Sequence, residues 1–232
     1  MANDVTLAVR HKVGDKRPER LSPRIAQEIR RLIIGGEAPG GAKLRAEHLA
    51  VRFGVSATPV REALMALHGE GLVSFDAGRG FTVMPITRRD LLDMFYAQAH
   101  FAGELAARAA EEMTSDCMAE LWRHQEALTA ALESGDNAGA DQVEFEFHRL
   151  INHASDSPKM RWLLKMTTSY MPFGEWHDVP GWAASAPTDH LPLLRALSNG
   201  SPQAAQMAMT AHIMNVSDLL AGLLAERGVL AQ

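Results

Sequence analysis

Apolar residues first recur at helical spacing where Ile25, Ile29, Leu32 and Ile33 share one face. Ser22 and Pro23 supply a cap and a first-turn proline, and Gly35 and Gly36 end the run. A turn at Ala38, Pro39, Gly40 and Gly41 leads past Leu44 to a shorter helix around 47–53. That helix turns Leu49, Ala50 and Phe53 inward and stops at Gly54, and Val55 packs beneath the turn. A third helix follows Ser56, which can cap it, and buries Val60, Ala63, Leu64 and Leu67. The period then shortens to that of strands over 72–75 and 81–84, joined through 76–80. Helix, tight glycine turn, helix and hairpin predict a winged helix-turn-helix, with Arg79 near the tip of the wing.

From Thr87, a cap, the pattern is helical almost to the end. A long helix over 88–113 places Leu91, Met94, Phe95, Gln98, Phe101, Leu105 and Ala109 on its apolar face. Further helices are expected over 115–133, over 137–154 after the cap Asp136, and over 158–169, 188–198 and 202–227. The stretch 171–187, with Pro172, Trp176, Pro180, Gly181 and Trp182, breaks the period and predicts a loop over one end of a bundle. The fold class is mainly α. Its expected organisation is a flexible arm at 1–17, a winged helix-turn-helix domain at 18–86 and an all-helical bundle at 87–232.

Charge separates the same two halves. The net charge is −5, but residues 1–86 hold 13 Lys and Arg against 9 Asp and Glu, whereas 87–232 hold 10 against 19. A positive balance in the smaller part suits phosphate, because Lys and Arg release the counterions condensed on nucleic acid. The aperiodic arm carries Arg10, His11, Lys12, Lys16 and Arg17, and reads either as a disordered terminus or as a basic arm touching phosphate. Hydrophobic residues make up 47% and charged residues 22%, which fits folded protein rather than disorder. No apolar run approaches a membrane span and no signal-peptide layout opens the chain, so a cytoplasmic protein with no membrane partner is expected. Cys117 is the only cysteine; it rules out an internal disulfide or a cysteine-cluster zinc site and reads as a buried small apolar residue.

The first turn of the third helix offers the Ser56 and Thr58 hydroxyls, free backbone N–H groups and Arg61 to phosphates or base edges in a major groove. The alternative for Arg61 is a surface salt bridge to Glu62 or Glu70. Arg79 either enters a minor groove or is solvated, and Arg45, with Arg30, Arg31 and Arg52, is a helix-surface charge or a nonspecific phosphate contact. Residues 54–64, reading Gly-Val-Ser-Ala-Thr-Pro-Val-Arg-Glu-Ala-Leu, are followed by Gly69, Glu70, Gly71, Leu72 and Val73 and by Gly78, Arg79 and Gly80. This stretch resembles the winged helix of GntR-type transcription regulators. Ala57 stands where that family usually has an arginine that commonly contacts DNA, so base reading here is weaker or shifted to neighbours.

The second half carries a resemblance too. Phe147 and His148, the stretch Asp189-His190 through Gly200, and His212-Ile213 resemble the all-helical FCD effector domain of one GntR branch, the FadR type. In that domain a carboxylate and three histidines often hold a divalent metal. The resemblance implies His148, His190 and His212 as ligands, with Glu144 where Asp is usual, and Zn, Ni, Mn or Fe as the ion. Residues 144 and 148 lie one helical turn apart on one face, and His190 and His212 flank the break at 199–202, so all can point inward. The bland alternative is a set of hydrogen-bonded core histidines; His124, His153 and His177 read as surface residues, and the twelve methionines as core filling.

For the effector, the family's carboxylate-clamping arginine is replaced by His100, which either hydrogen-bonds a less acidic ligand or merely fills the position. Asn152, one turn beyond His148, is a candidate polar lining residue. The function these expectations describe is a ligand-responsive DNA-binding transcription regulator, homodimeric on a palindromic operator, whose helical domain takes a small organic acid through a divalent metal. No catalytic set is present. Two other readings remain: a helical metalloenzyme with an N-terminal docking module, and a metal sensor whose effector is the ion itself.

Overall fold

The computed structural model describes residues 21–168 and 176–231; the expected arm at 1–17, and Pro172 of the expected loop, lie outside them. The chain divides into two compact units, one holding residues up to Arg88 together with those from Leu224 onward, the other Arg89–Leu223.

In the first unit α1 (Leu21–Ile34) lays Ile25, Ile29, Leu32 and Ile33 against α3 (Ala57–Gly69), which answers with Val60, Ala63, Leu64 and Leu67. Each of these side chains contributes roughly 1.5–3 kcal/mol relative to an exposed position, except the alanine, which has less surface to bury. Helix α2 (Ala46–Phe53) packs on α3 and ends at Gly54, whose φ of 67° is left-handed, so the expected glycine break is a helix cap. Ser56 occupies the N-cap position of α3 without a side-chain capping bond, which departs from the expected cap. Strands β2 (Val73–Asp76) and β3 (Gly80–Val83) pair antiparallel, with Val73 opposite Val83 and Phe75 opposite Phe81.

Three two-residue strands in this unit have no signal in the sequence. β1 (Lys43–Leu44) adds to the outer edge of β3, giving the order β1-β3-β2, and Lys43 Nζ donates to Thr82 Oγ1 at 2.8 Å. β4 (Ile86–Thr87) pairs in parallel with β5 (Leu230–Ala231), so the end of the chain returns to the first unit. Two residues cannot display an alternating pattern, and only a partner strand distinguishes them from loop.

The second unit is helical: α4 (Arg88–Glu112, all but its first residue), α5 (Ser115–Ser134), α6 (Asn137–Ala154), α7 (Pro158–Thr167), α8 (Trp182–Ser198) and α9 (Pro202–Glu226, all but its last three residues). Local signals explain three of the helix starts. The Thr114 hydroxyl accepts from the Cys117 N–H, the Asp136 carboxylate accepts from the Gly139 N–H, and Pro158 opens α7. α5 packs on α6 and on α8, around Leu121, Leu128, Phe147, Ile151, Leu193 and Leu194. Gly103 marks close approach of α4 to α9: a Cβ there would lie 2.7 Å from Thr210 Oγ1 and 3.2 Å from the Gln206 carbonyl oxygen.

Three expectations are corrected. Helix α8 begins at Trp182, six residues before the expected start, and a single 3-10 turn spans Trp176–Asp178, so the irregular stretch is shorter than its prolines suggested. Gly181 in left-handed conformation starts the helix, and Pro187 and Pro192 are tolerated inside it. Helix α9 is long and apolar enough, by length and composition, to cross a membrane, contrary to the expectation that no run comes near. Its polar residues include His212 and Asn215, which meet groups on α6 and α8. Cys117 is half-buried rather than buried, because it sits in the exposed first turn of α5.

Candidate metal centre and nucleic-acid interface

Three helices bring four donors together. α6 supplies Glu144 and His148 from successive turns, α8 supplies His190 and α9 supplies His212, and one donor atom from each lies within 4.8 Å of all the others. His148 Nε2 is 3.2 Å from Glu144 Oε1 and 3.2 Å from His212 Nε2, while Glu144 Oε2 is 3.5 Å from His190 Nε2. Phe147 walls the cluster, its ring stacked on His190 with centroids 4.0 Å apart and planes 9° from parallel. All but His148 are buried, and His190 is fully so.

Buried polar atoms normally have partners. Here Glu144 Oε2 and His190 Nε2 are enclosed without a hydrogen bond among the described residues. Two imidazole Nε2 atoms also face each other, an arrangement that requires a proton or a cation between their lone pairs. A cation bound at about 2.1 Å sets neighbouring donors about 3.0–3.4 Å apart, which is near the spacing present. Burial pushes the His212 imidazole down to about 4, so it is neutral near pH 7, as a ligand must be. The residues therefore fit a divalent ion of the nitrogen-and-oxygen-loving kind.

Of the expected effector residues, His100 is exposed on α4 with its ring against Phe101, because the inward face of that helix runs through Gln98, Ala99 and Ala102. Asn152 is half-buried one turn beyond His148, and its Oδ1 is enclosed without a partner among the described residues.

The sequence reading missed three contacts, two of them at the donor cluster. Gln125 on α5 touches His190, Asp189 approaches His212, and His177 is half-buried against Asp141, with Nδ1 to Oδ2 of 2.6 Å, rather than a surface residue. Only Asp189 carried a signal, as the neighbour of His190. Gln125 and Asp141 lie 65 and 36 residues from their partners, beyond any spacing rule.

On the first unit, Ser56, Thr58 and Arg61 are exposed around the start of α3, Arg45 is exposed at the N-cap of α2, and Arg79 is exposed on the hairpin turn. Asp76 builds that turn: its carboxylate accepts from the Gly78 N–H at 2.8 Å and its carbonyl from the Arg79 N–H at 3.0 Å. Arg61 does form an ion pair, though with Glu47 of α2 rather than with Glu62 or Glu70; Glu70 is taken by Arg30. The backbone N–H of Glu47, together with Arg61, holds its carboxyl below the usual range.

Comparison with known proteins agrees with this architecture. Residues 21–83 match the gntR family of bacterial regulatory proteins, and residues 93–215 match the FCD domain. A probable D-xylose utilization operon transcriptional repressor of Paenarthrobacter nicotinovorans is 26% identical over 204 residues, covering 82% of this chain and 85% of that one. The transcriptional regulator LutR of Bacillus subtilis is 29% identical over 216 residues, covering 82% and 97%. Among solved structures, E. coli McbR/YncC superposes with a TM-score of 0.64 at 23% identity over 90% of this chain and 98% of that one, which shows a shared fold.

Proposed function

The chain belongs to the gntR family of bacterial regulatory proteins and carries an FCD domain, which makes it a DNA-binding transcription regulator and not an enzyme; from that premise we propose a regulator whose helical unit senses a small organic acid through a resident divalent metal. Residues 18–86 are the DNA-binding part, and 87–232 the effector-binding and dimerising part. Two copies on a palindromic duplex place two recognition helices about one turn apart. Arg61, Thr58, Ser56, Arg79 and Arg45 are the groups offered to DNA. Operator binding places the protein in the cytoplasm.

The observation that carries the effector reading is the convergence of Glu144, His148, His190 and His212, with Glu144 Oε2 and His190 Nε2 buried there without a hydrogen bond. These four residues would hold the ion, of the class Zn, Ni, Mn or Fe. When bound, it supplies a Lewis-acidic position at which an organic carboxylate can bind. Asn152 offers that ligand a hydrogen-bonding group. An acid shifts DNA affinity only through different affinities for the DNA-competent and incompetent states.

Elemental analysis of purified protein, before and after incubation with Zn and Ni, tests the reading. Close to one ion per chain is expected in the wild type and none in His148→Ala or His212→Ala. A wild type that takes up no metal favours buried core histidines instead. If the metal alone alters affinity for a duplex selected from a randomised pool, and no acid does, the ion itself is the effector.

A further inference from the structure

We propose that Gln125 and the Asp189–Asn215 pair are positioning residues that fix which ring nitrogen of His190 and His212 faces the cluster, so that the donor set is built before any cation arrives. The inference rests on the metal reading for its purpose, and its geometry on the hydrogen bonds made by Gln125 and Asn215.

Gln125 is buried on α5 between two groups on α8. Its Nε2 donates to the carbonyl oxygen of Pro187 at 2.9 Å. A carbonyl only accepts, so the amide NH2 must be the end facing it, and the amide orientation is determined. The other end, Oε1, then faces His190 Nδ1 at 3.0 Å and accepts from it. The proton of His190 therefore sits on Nδ1, and the Nε2 lone pair points at Glu144. A residue 65 positions away in sequence has set the tautomer of a fully buried ring.

The second ring is set by charge. Asp189 Oδ2 lies 3.8 Å from His212 Nδ1, beyond hydrogen-bond length, and the same oxygen accepts from Asn215 Nδ2 at 2.7 Å. A carboxylate held there by Asn215 favours the tautomer with its N–H toward Asp189. His212 Nε2 is thereby left as an acceptor beside His148 Nε2 and 3.7 Å from Glu144 Oε1. Carboxylates and amides behind ligand imidazoles raise ligand basicity and remove the cost of reorienting rings on binding. Without them, a buried His190 would lower its energy by turning an Nε2–H toward Glu144, and the donor would be lost.

The test uses full-length protein with 15N-labelled histidine, stripped of metal by chelator, and reads the ring-nitrogen shifts of each assigned imidazole. His190 is expected as the Nδ1–H tautomer in the wild type. Gln125→Leu should convert it wholly or partly to Nε2–H, whereas Gln125→Glu, which as a neutral acid keeps both bonds, should retain Nδ1–H. Zn affinity by chelator competition should fall about 10–100-fold in Gln125→Leu, and to a smaller extent in Asp189→Ala. If Gln125→Leu does not fold, loss of Nδ1–H character in Gln125→Met serves the same purpose. Wild-type His190 as Nε2–H, or an unchanged tautomer in the leucine or methionine variant, overturns the proposal. A wild type that binds no Zn yet shows the expected tautomers overturns the metal reading and leaves this one standing.

Discussion

Arg61 and Glu47 show what a single exposed pair can decide. Both side chains are more than half exposed, at 61% and 62%, so the bridge contributes little to stability. Its consequence is for binding, since Glu47 places a negative charge at the guanidinium offered to DNA. Arg61→Ala should weaken binding to a selected duplex several-fold or more and lower the slope of log affinity against log salt by about 1, measured by fluorescence anisotropy. Unchanged affinity and slope in a folded variant would remove Arg61 from the interface. Glu47→Gln should act oppositely, raising affinity for the same duplex a few-fold while leaving the melting temperature where it was. Weaker binding by Glu47→Gln would mean that the carboxylate itself reads a base, as an acceptor from cytosine N4.

Among the elements, the α4 and α9 pair depends on a missing side chain. Gly103 lets the helices approach to where a Cβ would overlap Thr210 and press on the Gln206 backbone. Gly103→Ala gains helix propensity of about 1 kcal/mol, but the overlap costs typically 1–3 kcal/mol, so a net loss is expected. Gly103→Val should lose more, since a branched side chain has less room to turn away. Thermal melting followed by circular dichroism measures both; a variant as stable as the wild type would show that α9 can move aside. Relief by Thr210→Ala in the Gly103→Ala background would identify the Oγ1 overlap as the cause.

At the scale of the whole molecule, the predicted ion couples stability to ligand. An ion that binds only the folded chain stabilises it by RT ln(1 + [L]/Kd), about 2.7 kcal/mol at one hundred times Kd. Chelator should therefore lower the melting temperature of the wild type and leave His148→Ala unaffected. The acid effector should change operator affinity in metal-loaded wild type and not in His148→Ala; by linkage, DNA must change acid affinity by the same factor. Calorimetric titration of the acid with and without duplex measures that factor. Retention of the full response in His148→Ala would make any bound metal structural and place the effector contacts elsewhere.

Local chemistry made much of this protein legible in its sequence. The cap Asp136, the opening Pro158 and the left-handed Gly54 and Gly135 set helix ends within a residue or two, because each acts on groups only a few positions away. The apolar stripes of α1 and α3 and the one-turn spacing of Glu144 and His148 follow from the same short range. The motif resemblance then pointed to His190 and His212, whose convergence with α6 depends on how three helices pack. Tertiary structure alone decided the rest. It chose Glu47 over Glu62 and Glu70 for Arg61, turned His100 outward, carried α8 back through Pro187 to Trp182, and paired two-residue strands with distant partners. It also set Gln125 against His190, where no spacing could foretell it. Periodicity and capping are written within a few residues of where they act, whereas a salt bridge, a ring tautomer and a strand pairing belong to residues that only folding makes neighbours.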